Sequence, residues 1–192
     1  MELTVRTCGA VSDVLEIITQ RHQDDRGFFS ETYNREAFRR AGINYDFLQD
    51  NHSFSHLSGT VRGLHFQSPP FAQVKLVRVT KGAIYDVAVD IRVGSPTFGR
   101  HVGVSLSSDK GNQLLIPIGF AHGFCTLETE TEVLYKVDAP YSKNHDLGLL
   151  WSDPELAIDW PTGPQAAVLS NKDKNHPRLR ELEPYFLYSP DA

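Results

Sequence analysis

The sequence has few cysteines, no long apolar segment and no excess of basic residues. Its 192 residues include only Cys8 and Cys125, too few for a disulfide framework, so we expect two reduced structural thiols in a cytoplasmic protein. No stretch approaches the roughly 20 apolar residues of a membrane-spanning helix, and the N-terminus lacks an apolar signal core. The net charge of −5 argues against nucleic-acid binding, which usually shows a basic patch.

The remaining composition is that of an ordinary globular protein, with 40% hydrophobic and 22% charged residues. The length fits one domain over residues 1–192. The sequence shows no internal repeat, low-complexity tract or linker. Its acidic balance still permits a phosphate-bearing small-molecule ligand, because such a ligand needs only a few local cations.

Short segments rich in β-branched and aromatic residues follow one another, separated by Gly, Pro, Ser, Asn or Asp. Strands this short and regularly spaced are typical of an all-β antiparallel sandwich or barrel. One helix is predicted at 35–42, with Asn34 as its N-cap and Gly42 as its C-cap. From about Leu147 the chain should wrap the barrel as loops, turns and short helices. The predicted strands are 28–34, 60–67, 72–80, 83–91, 100–106, 112–118, 122–129 and 131–137.

The segment TVRGLHFQSPP (60–70) places an arginine, a glycine and a histidine inside a short apolar strand. Side chains alternate along a strand, so Arg62 and His65 should point to opposite faces. A glycine within a strand often marks a bulge, and Gly63 could bring both side chains into one cavity. The alternative is a hydrogen-bonded structural histidine beside an edge glycine.

Other strands carry polar side chains where apolar ones are expected. Lys75 has the parity of Val77 and Val79, and a buried lysine is rare unless it is paired. Tyr135 falls on the inward parity of its strand, where a tyrosine is also common as a core residue. His122 lies near glycines, where a backbone could approach a ligand. Gln49, Asn51 and Ser53 alternate along another strand, so they should point to one face and join these groups. Polar groups that converge from several strands form a typical small-molecule site.

A metal site is the less favoured interpretation. Small barrels often bind metal through an HxH pair, but the residue two after His65 is Gln67. His122 could be a second ligand, but no third histidine has a suitable spacing. The remaining candidates are in turn-like or exposed contexts and should be solvated: His52, His56, His101, His145 and His176.

Ordered blocks along nearly the whole chain carry a resemblance: DDRGFFSE (24–31), LQDNHSFS, VRGLHFQ, PPFAQVKLVRVTKG, DVAVDIRVGSPTFG, QLLIPIGFAHGF, EVLYKVDAPY, LLWSDPELAIDWP (149–161) and LSNKD (169–173). Together they resemble the dTDP-4-dehydrorhamnose 3,5-epimerase family, sugar-nucleotide epimerases of the cupin-like jelly-roll class. The resemblance implies a jelly-roll fold and epimerisation of dTDP-4-dehydro-6-deoxy-D-glucose at C3 and C5 to dTDP-4-dehydro-L-rhamnose, which supplies deoxysugar for surface polysaccharide. It implies no cofactor and no metal.

The resemblance also implies roles for the polar residues. Epimerisation beside a ketone removes a proton from one face and returns one to the other, and His65, paired with Asp173, matches the base. Tyr135 matches the acid that returns the proton. Lys75 matches the cation that stabilises the enolate.

The same resemblance assigns the substrate-binding positions and a homodimer. In the family the RGFF segment crosses to the partner subunit. Asp146 stands where members usually carry the longer glutamate. Arg26, Arg62 and Lys172 match the diphosphate contacts; Gln49, Asn51 and His122 match groups that hold the substrate; Phe29, Glu31 and Tyr141 match the thymine contacts.

Three alternatives stay open from the sequence. A mono-epimerase acting at C3 or C5 alone would share the same base, acid and barrel. A metal-dependent cupin enzyme built on His65, Gln67 and His122 would lose activity with a chelator. A non-catalytic sugar-nucleotide binding module would bind dTDP without exchanging sugar protons for deuterium.

Overall fold

The computed structural model describes residues 1–9 and 11–190, which form two antiparallel sheets packed face to face. The first has six strands in the order β1-β2-β10-β7-β12-β5, and the second has five in the order β13-β6-β11-β8-β9. From β5 to β8 and from β9 to β13, successive strands alternate between the sheets, as in a jelly roll. The all-β jelly-roll prediction is therefore confirmed.

The strands are short, as the sequence predicts. A separate hairpin, β3–β4, projects from the sandwich. The bounds are β1 Leu3–Cys8, β2 Val11–Thr19, β3 His22–Asp24, β4 Gly27–Phe29, β5 Gln49–Ser55, β6 Val61–Gln67, β7 Lys75–Lys81, β8 Ala83–Asp90, β9 His101–Ser107, β10 Asn112–Ile116, β11 Phe120–Thr126, β12 Thr131–Val137 and β13 Asp146–Gly148, with helix α1 at Arg35–Arg40 and 3₁₀ turns at Asp173–Asn175 and Leu179–Glu181.

The helix begins and ends close to the predicted residues. The Asn34 side chain accepts a hydrogen bond from the Ala37 amide at 3.1 Å, which confirms the N-cap. The helix ends at Arg40, two residues before the end of the predicted range; Ala41 is the C-cap, and Gly42 follows it with a φ of +84°. That left-handed conformation is the one glycine adopts most easily after a helix.

Apolar side chains from the two sheets meet between them. Val77 and Val133 of the first sheet pack with Ile84 and Phe124 of the second. Helix α1 covers the outer face of the six-stranded sheet, and Phe38 is buried there. Residues after β13 cover the outer face of the five-stranded sheet without adding a strand to it.

Some strand predictions are wrong in extent or missing. The predicted strand 28–34 ends at Phe29, so Phe29 and Glu31 do not share one strand face. β1, β2, β3 and β13 were not predicted. Cys8 and Cys125 are both free and buried, as expected. Within residues 1–9 and 11–190, no helix has the length and apolar character needed to cross a membrane.

Candidate active site

Polar side chains from both sheets line one cavity of about 270 Å³. β6 and β11 supply residues from the five-stranded sheet, and β5, β7 and β12 supply residues from the facing sheet. The segment that leads into the first 3₁₀ turn closes one side. The lining residues are Ser53, Arg62, His65, Lys75, His122, Phe124, Tyr135, Ser170, Lys172 and Asp173.

A shift in strand register explains how Arg62 and His65 reach the same cavity. His122 of β11 pairs with His65 of β6, but Phe124 pairs with Arg62, so β6 holds one extra residue in this interval. The extra residue moves Arg62 to the face of His65, as the bulge prediction required.

Gly63 lies within this interval because its neighbours leave no room for a side chain. Gly63 has a φ of +125°, and a Cβ there would lie 2.5 Å from the Gly123 Cα and 2.8 Å from the His122 carbonyl oxygen. The glycines near His122 therefore let two strands approach each other closely. The sequence analysis expected a backbone approach to a ligand here, and the close approach seen in the structure is between β6 and β11.

His65 and Asp173 form a close pair at the cavity wall. The His65 Nε2 lies 2.6 Å from Asp173 Oδ1. Burial would raise the pKa of Asp173, but the contact with His176 and the hydrogen bond from His65 outweigh it and hold that pKa far below its usual range. An ionised carboxylate only accepts hydrogen bonds, so Nε2 carries the proton and Nδ1 is left as the basic nitrogen of His65.

The environment of His65 favours its neutral form. Burial lowers the pKa of His65 below 6.5, and this effect exceeds the opposing attraction of Asp173. Nearby Lys75 and Lys172 lower the pKa further. The imidazole is therefore unprotonated at neutral pH and able to accept a proton.

Lys75 is a buried cation on the inner face of β7, together with Val77 and Val79 as predicted. Its ammonium group donates a hydrogen bond of 3.2 Å to the His65 carbonyl oxygen. Burial lowers the pKa of Lys75 to about 8, while Asp86 and Asp146 oppose this shift. Lys75 is therefore charged at pH 7 and poorly solvated, which suits the stabilisation of a developing anion.

Tyr135 projects from β12 into the cavity from the sheet opposite His65. Burial raises the pKa of Tyr135, although the Arg62 guanidinium counteracts part of the shift. The phenol therefore keeps its proton at neutral pH. Within the described residues we find no hydrogen bond to its hydroxyl.

A second imidazole–carboxylate pair lies beside the first. The His122 Nε2 is 2.5 Å from Asp86 Oδ1, and Asp86 is fully buried. The sequence analysis missed Asp86. The signal was available, because Asp86 has the inward parity of Ile84 and Ala88 on β8, just as Lys75 has an inward parity on β7.

His176 is a third histidine near the site, and the prediction that it is solvated is wrong. Its side chain is 9% exposed, and its Nε2 lies 3.6 Å from Asp173 Oδ1. The spacing of three residues from Asp173 was the available signal, because such residues share one face of a helical turn. The prediction held better for His52, which is 54% exposed and pairs with Glu132.

In the described part of the chain, one group of side chains has a spacing that could suit a metal ion: His65, Asp173 and His176. Two ligands on one tetrahedral zinc ion, each about 2.1 Å from it, lie about 3.4 Å apart. The His65–Asp173 separation of 2.6 Å is shorter and is that of a charge-assisted hydrogen bond. The geometry therefore favours a proton-transfer pair over a metal centre.

Further predicted binding residues form a hydrogen-bonded rim beside the cavity. Gln49 donates to the Asn51 side chain at 2.8 Å, and the Tyr141 amide donates to Gln49 at 3.2 Å. The Tyr141 hydroxyl donates to Asp146 at 3.0 Å, and the Lys172 ammonium group lies 2.6 Å from the same carboxylate. Asp146 thus holds an aromatic ring and a cation at the cavity mouth.

Three predicted substrate contacts lie outside the cavity. Arg26 is at the tip of the β3–β4 hairpin, where it pairs with Asp24 and its side chain is 90% exposed. Phe29 is 68% exposed. Glu31 lies 3.6 Å from the N-terminal amine. A single subunit therefore does not bring these three residues to the cavity that holds His65.

Comparison with known proteins identifies close relatives. A family model described as dTDP-4-dehydrorhamnose 3,5-epimerase matches residues 9–181. An enzyme of that name from Sinorhizobium fredii is 51% identical over 179 residues, covering 93% of this chain and 91% of its own. The Bacillus anthracis enzyme, solved with TDP and PPi bound, is 49% identical with a TM-score of 0.88, covering 92% of this chain and 99% of its own. A Legionella pneumophila epimerase in complex with dTDP-4-keto-L-rhamnose has a TM-score of 0.92 at 39% identity, covering 98% and 100%.

Proposed function

Since the chain belongs to the dTDP-4-dehydrorhamnose 3,5-epimerase family, it is an isomerase of the dTDP-rhamnose pathway, and we propose that the cavity around His65 is where the sugar is epimerised. Its substrate is the small molecule dTDP-4-dehydro-6-deoxy-D-glucose. The L-rhamno product differs from this substrate at both C3 and C5, so two protons must be exchanged. The observation that carries the proposal is the His65–Asp173 pair at 2.6 Å in one cavity with Lys75 and Tyr135.

The first step is proton removal by His65. The C–H bond beside the C4 ketone breaks, its proton moves to Nδ1 of the neutral imidazole, and the electron pair passes to the ketone oxygen as an enolate. Asp173 stabilises the imidazolium that forms, because its carboxylate accepts the Nε2–H throughout. A positioned general base of this kind typically contributes about 10²- to 10⁴-fold in rate.

The enolate oxygen needs a positive partner in a site with little water. Lys75 is buried and charged at neutral pH, so its ammonium group is suited to this oxygen. His122, oriented by Asp86, is the second candidate donor from the neighbouring strand.

Tyr135 then returns a proton to the opposite face of the carbon. Its phenol lies on the sheet facing His65 and stays protonated at neutral pH. The phenolate that remains takes a proton from solvent, and His65 releases the proton it had accepted. Each cycle moves protons only, so these steps require no redox partner.

The nucleotide part of the substrate extends toward the rim. Arg62 and Lys172 supply cationic groups suited to the diphosphate, and Tyr141 offers an aromatic face for the base. Arg26, Phe29 and Glu31 would complete the site from the partner subunit of a homodimer. The exposure of the hairpin supports this arrangement, since Phe28 and Phe29 present large apolar surfaces to solvent. The cytoplasmic location remains a prediction that rests on the two free thiols.

Solvent exchange tests the base directly. With dTDP-4-keto-6-deoxyglucose in D₂O, wild-type protein should introduce deuterium at C3 and C5, as followed by proton NMR. His65→Ala should lose this exchange by at least about 10²-fold while still binding dTDP, since a base contributes about that much. Tyr135→Phe should lose the product but keep exchange on the face served by His65. His52→Ala, at an exposed histidine on β5 of the facing sheet, is the control.

Three outcomes would contradict the proposal. Full exchange by His65→Ala would exclude His65 as the base. Exchange at only one carbon in the wild type would favour a mono-epimerase. Activity lost with a chelator and restored by a metal would favour the metal-dependent alternative.

Mixing two inactive variants tests the shared site. If the hairpin completes the site of the partner subunit, homodimers of His65→Ala and homodimers of the double variant Arg26→Ala/Phe29→Ala should both be inactive. A heterodimer contains one intact site, which combines His65 of one subunit with the unchanged hairpin of the other. Unfolding and refolding a 1:1 mixture should then restore about a quarter of wild-type activity, because half of the random dimers are heterodimers with one site of two. No recovery in refolded heterodimers would place the hairpin in its own subunit's site.

A further inference from the structure

His176 occupies a slot directly behind the His65–Asp173 pair. It follows the 3₁₀ turn Asp173–Asn175, and its ring meets the His65 ring edge to face, with centroids 5.6 Å apart. Gly148 of β13 leaves room for the ring, since a Cβ there would lie 2.3 Å from it. The imidazole is therefore held between the catalytic pair and a neighbouring strand.

The His176 Nε2 is buried and lacks a hydrogen-bond partner in residues 1–9 and 11–190. A buried polar atom without a partner costs about 1–3 kcal/mol, so its presence calls for an explanation. The Asp173 Oδ1, at 3.6 Å, is the charged atom within ion-pair distance. The same oxygen accepts the hydrogen bond from His65 at 2.6 Å.

The chemistry of the carboxylate determines which form of His176 fits this place. A bare Nε2 would direct its lone pair toward an anionic oxygen, which is repulsive. An Nε2–H directs the positive end of a bond dipole toward the oxygen, which is attractive. His176 should therefore carry its proton on Nε2.

We propose that His176 is a positioning residue whose Nε2–H shares Asp173 Oδ1 with His65, and so keeps the carboxylate ionised and His65 neutral before each proton transfer. The proposal rests on the base role of His65 proposed above. The His176 Nε2–H attracts the negative charge on Oδ1, so the Asp173 carboxylate stabilises protonated His65 less strongly. The edge-to-face contact also restrains the His65 ring, because the slot leaves it little room to turn.

The shift in the Asp173 pKa supports this geometry. Burial would raise the pKa of Asp173, whereas the contacts from His176 and His65 lower it far below its usual range. Other charged or titratable groups also face the pair and stay in place when His176 is changed. These are Arg62 of β6, Lys75 of β7, His122 of β11, Tyr135 of β12, Asp146 of β13 and Lys172 of the segment before the turn.

Two substitutions distinguish the effect of the His176 N–H group from the effect of the ring's shape. His176→Leu fills the slot without a donor, whereas His176→Gln keeps an N–H at about the Nε2 position. His176→Leu should raise the pKa of His65 and move the acid limb of the kcat/KM profile up by as much as about one pH unit. Its kcat/KM at pH 6 should then fall several-fold, while kcat/KM at pH 8 changes little.

The conservative variant and a distant histidine serve as controls. His176→Gln should keep the acid limb within about twofold of wild type at pH 6, because it retains the donor. His101→Gln, at a half-buried histidine on β9, should leave the profile unchanged. KM should change little in each variant, since His176 does not line the cavity.

A measurement on the wild-type protein keeps the proposal testable if His176→Leu fails to fold. ¹⁵N NMR of labelled histidine should show the Nε2–H form of His176. An Nε2 of His176 without a proton would overturn the proposal. Folded His176→Leu with the same acid limb of kcat/KM as the wild type would also overturn it. An equal shift in His176→Gln and His176→Leu also overturns it, because ring shape would then suffice. These results leave the base role of His65 intact, since that role fails only if His65→Ala retains exchange.

Discussion

The buried lysine should lower the stability of the folded protein, and removing its charge should reveal by how much. Lys75→Met keeps the length of the side chain but removes the ammonium group. Burial lowers the pKa of Lys75 from 10.5 to about 8. A shift of about 2.5 units corresponds to about 3 kcal/mol of unfavourable free energy for the charged folded state at pH 7.

The sign of the pH dependence follows from the two protonation states. Below pH 8 the folded and the unfolded chain both hold the proton, so the full cost of about 3 kcal/mol is present. Between pH 8 and 10.5 the folded protein has lost the proton while the unfolded chain still binds it. Wild-type stability therefore rises relative to Lys75→Met as pH increases, and the cost falls to about 2 kcal/mol at pH 9 and about 1 kcal/mol at pH 10.

Urea unfolding at pH 7, 9 and 10 measures this difference, with Trp151 as a buried fluorescent reporter. Differences in packing between Lys and Met do not depend on pH, so they cancel when results at two pH values are compared. Protein concentration must be held constant, because subunit association changes apparent stability. Lys81→Met, at an exposed lysine of the same strand, is the matched control and should unfold as the wild type does.

The reasoning fails if the stability difference between Lys75→Met and wild type is the same at pH 7 and pH 10. That result would mean that the ammonium group is as well solvated in the folded state as in the unfolded chain. The same variant should lose epimerase activity at every pH, since no cation would remain at that position beside the enolate.

Three further predictions follow from the site and its supporting strands. Activity should form a bell in pH. It should fall on the acid side as His65 gains a proton, at a lower pH than for an ordinary histidine because burial lowers the pKa of His65, and it should fall above about pH 8 as Lys75 loses a proton. Stopped-flow rates from pH 5 to 10 measure both limbs. Gly63→Ala should destabilise the fold by more than about 2 kcal/mol in urea unfolding, because its Cβ would overlap the backbone of β11. The control Gly163→Ala has no atom within 4 Å of the added Cβ and should change stability by less than about 0.5 kcal/mol. The Cys125 thiol should resist a disulfide reagent at pH 8 until the protein unfolds, because it is fully buried and burial raises its pKa to about 11. Rapid labelling of Cys125 in the native protein would contradict this.

The sequence by itself determined the all-β class and most of the strands. Alternation of apolar residues, with glycines and prolines between the runs, identifies β7 to β12 because each of these strands has one face in the central core. The same alternation singled out Lys75, because a charged residue there interrupts a row of inward-facing valines. The hairpin was misjudged because FFSETYN has the composition of a strand, while only Gly27–Phe29 has a pairing partner, β3.

Only the tertiary structure decided which polar residues meet. Asp173 is 108 positions from His65, and no local pattern predicts their contact at 2.6 Å. The bulge that turns Arg62 toward His65 depends on the close approach of Gly63 to β11. His176 looks like a surface histidine in the sequence, yet the slot left by Gly148 buries it behind Asp173. Periodicity reports which face of a strand is buried, whereas long-range packing decides which buried groups share a site.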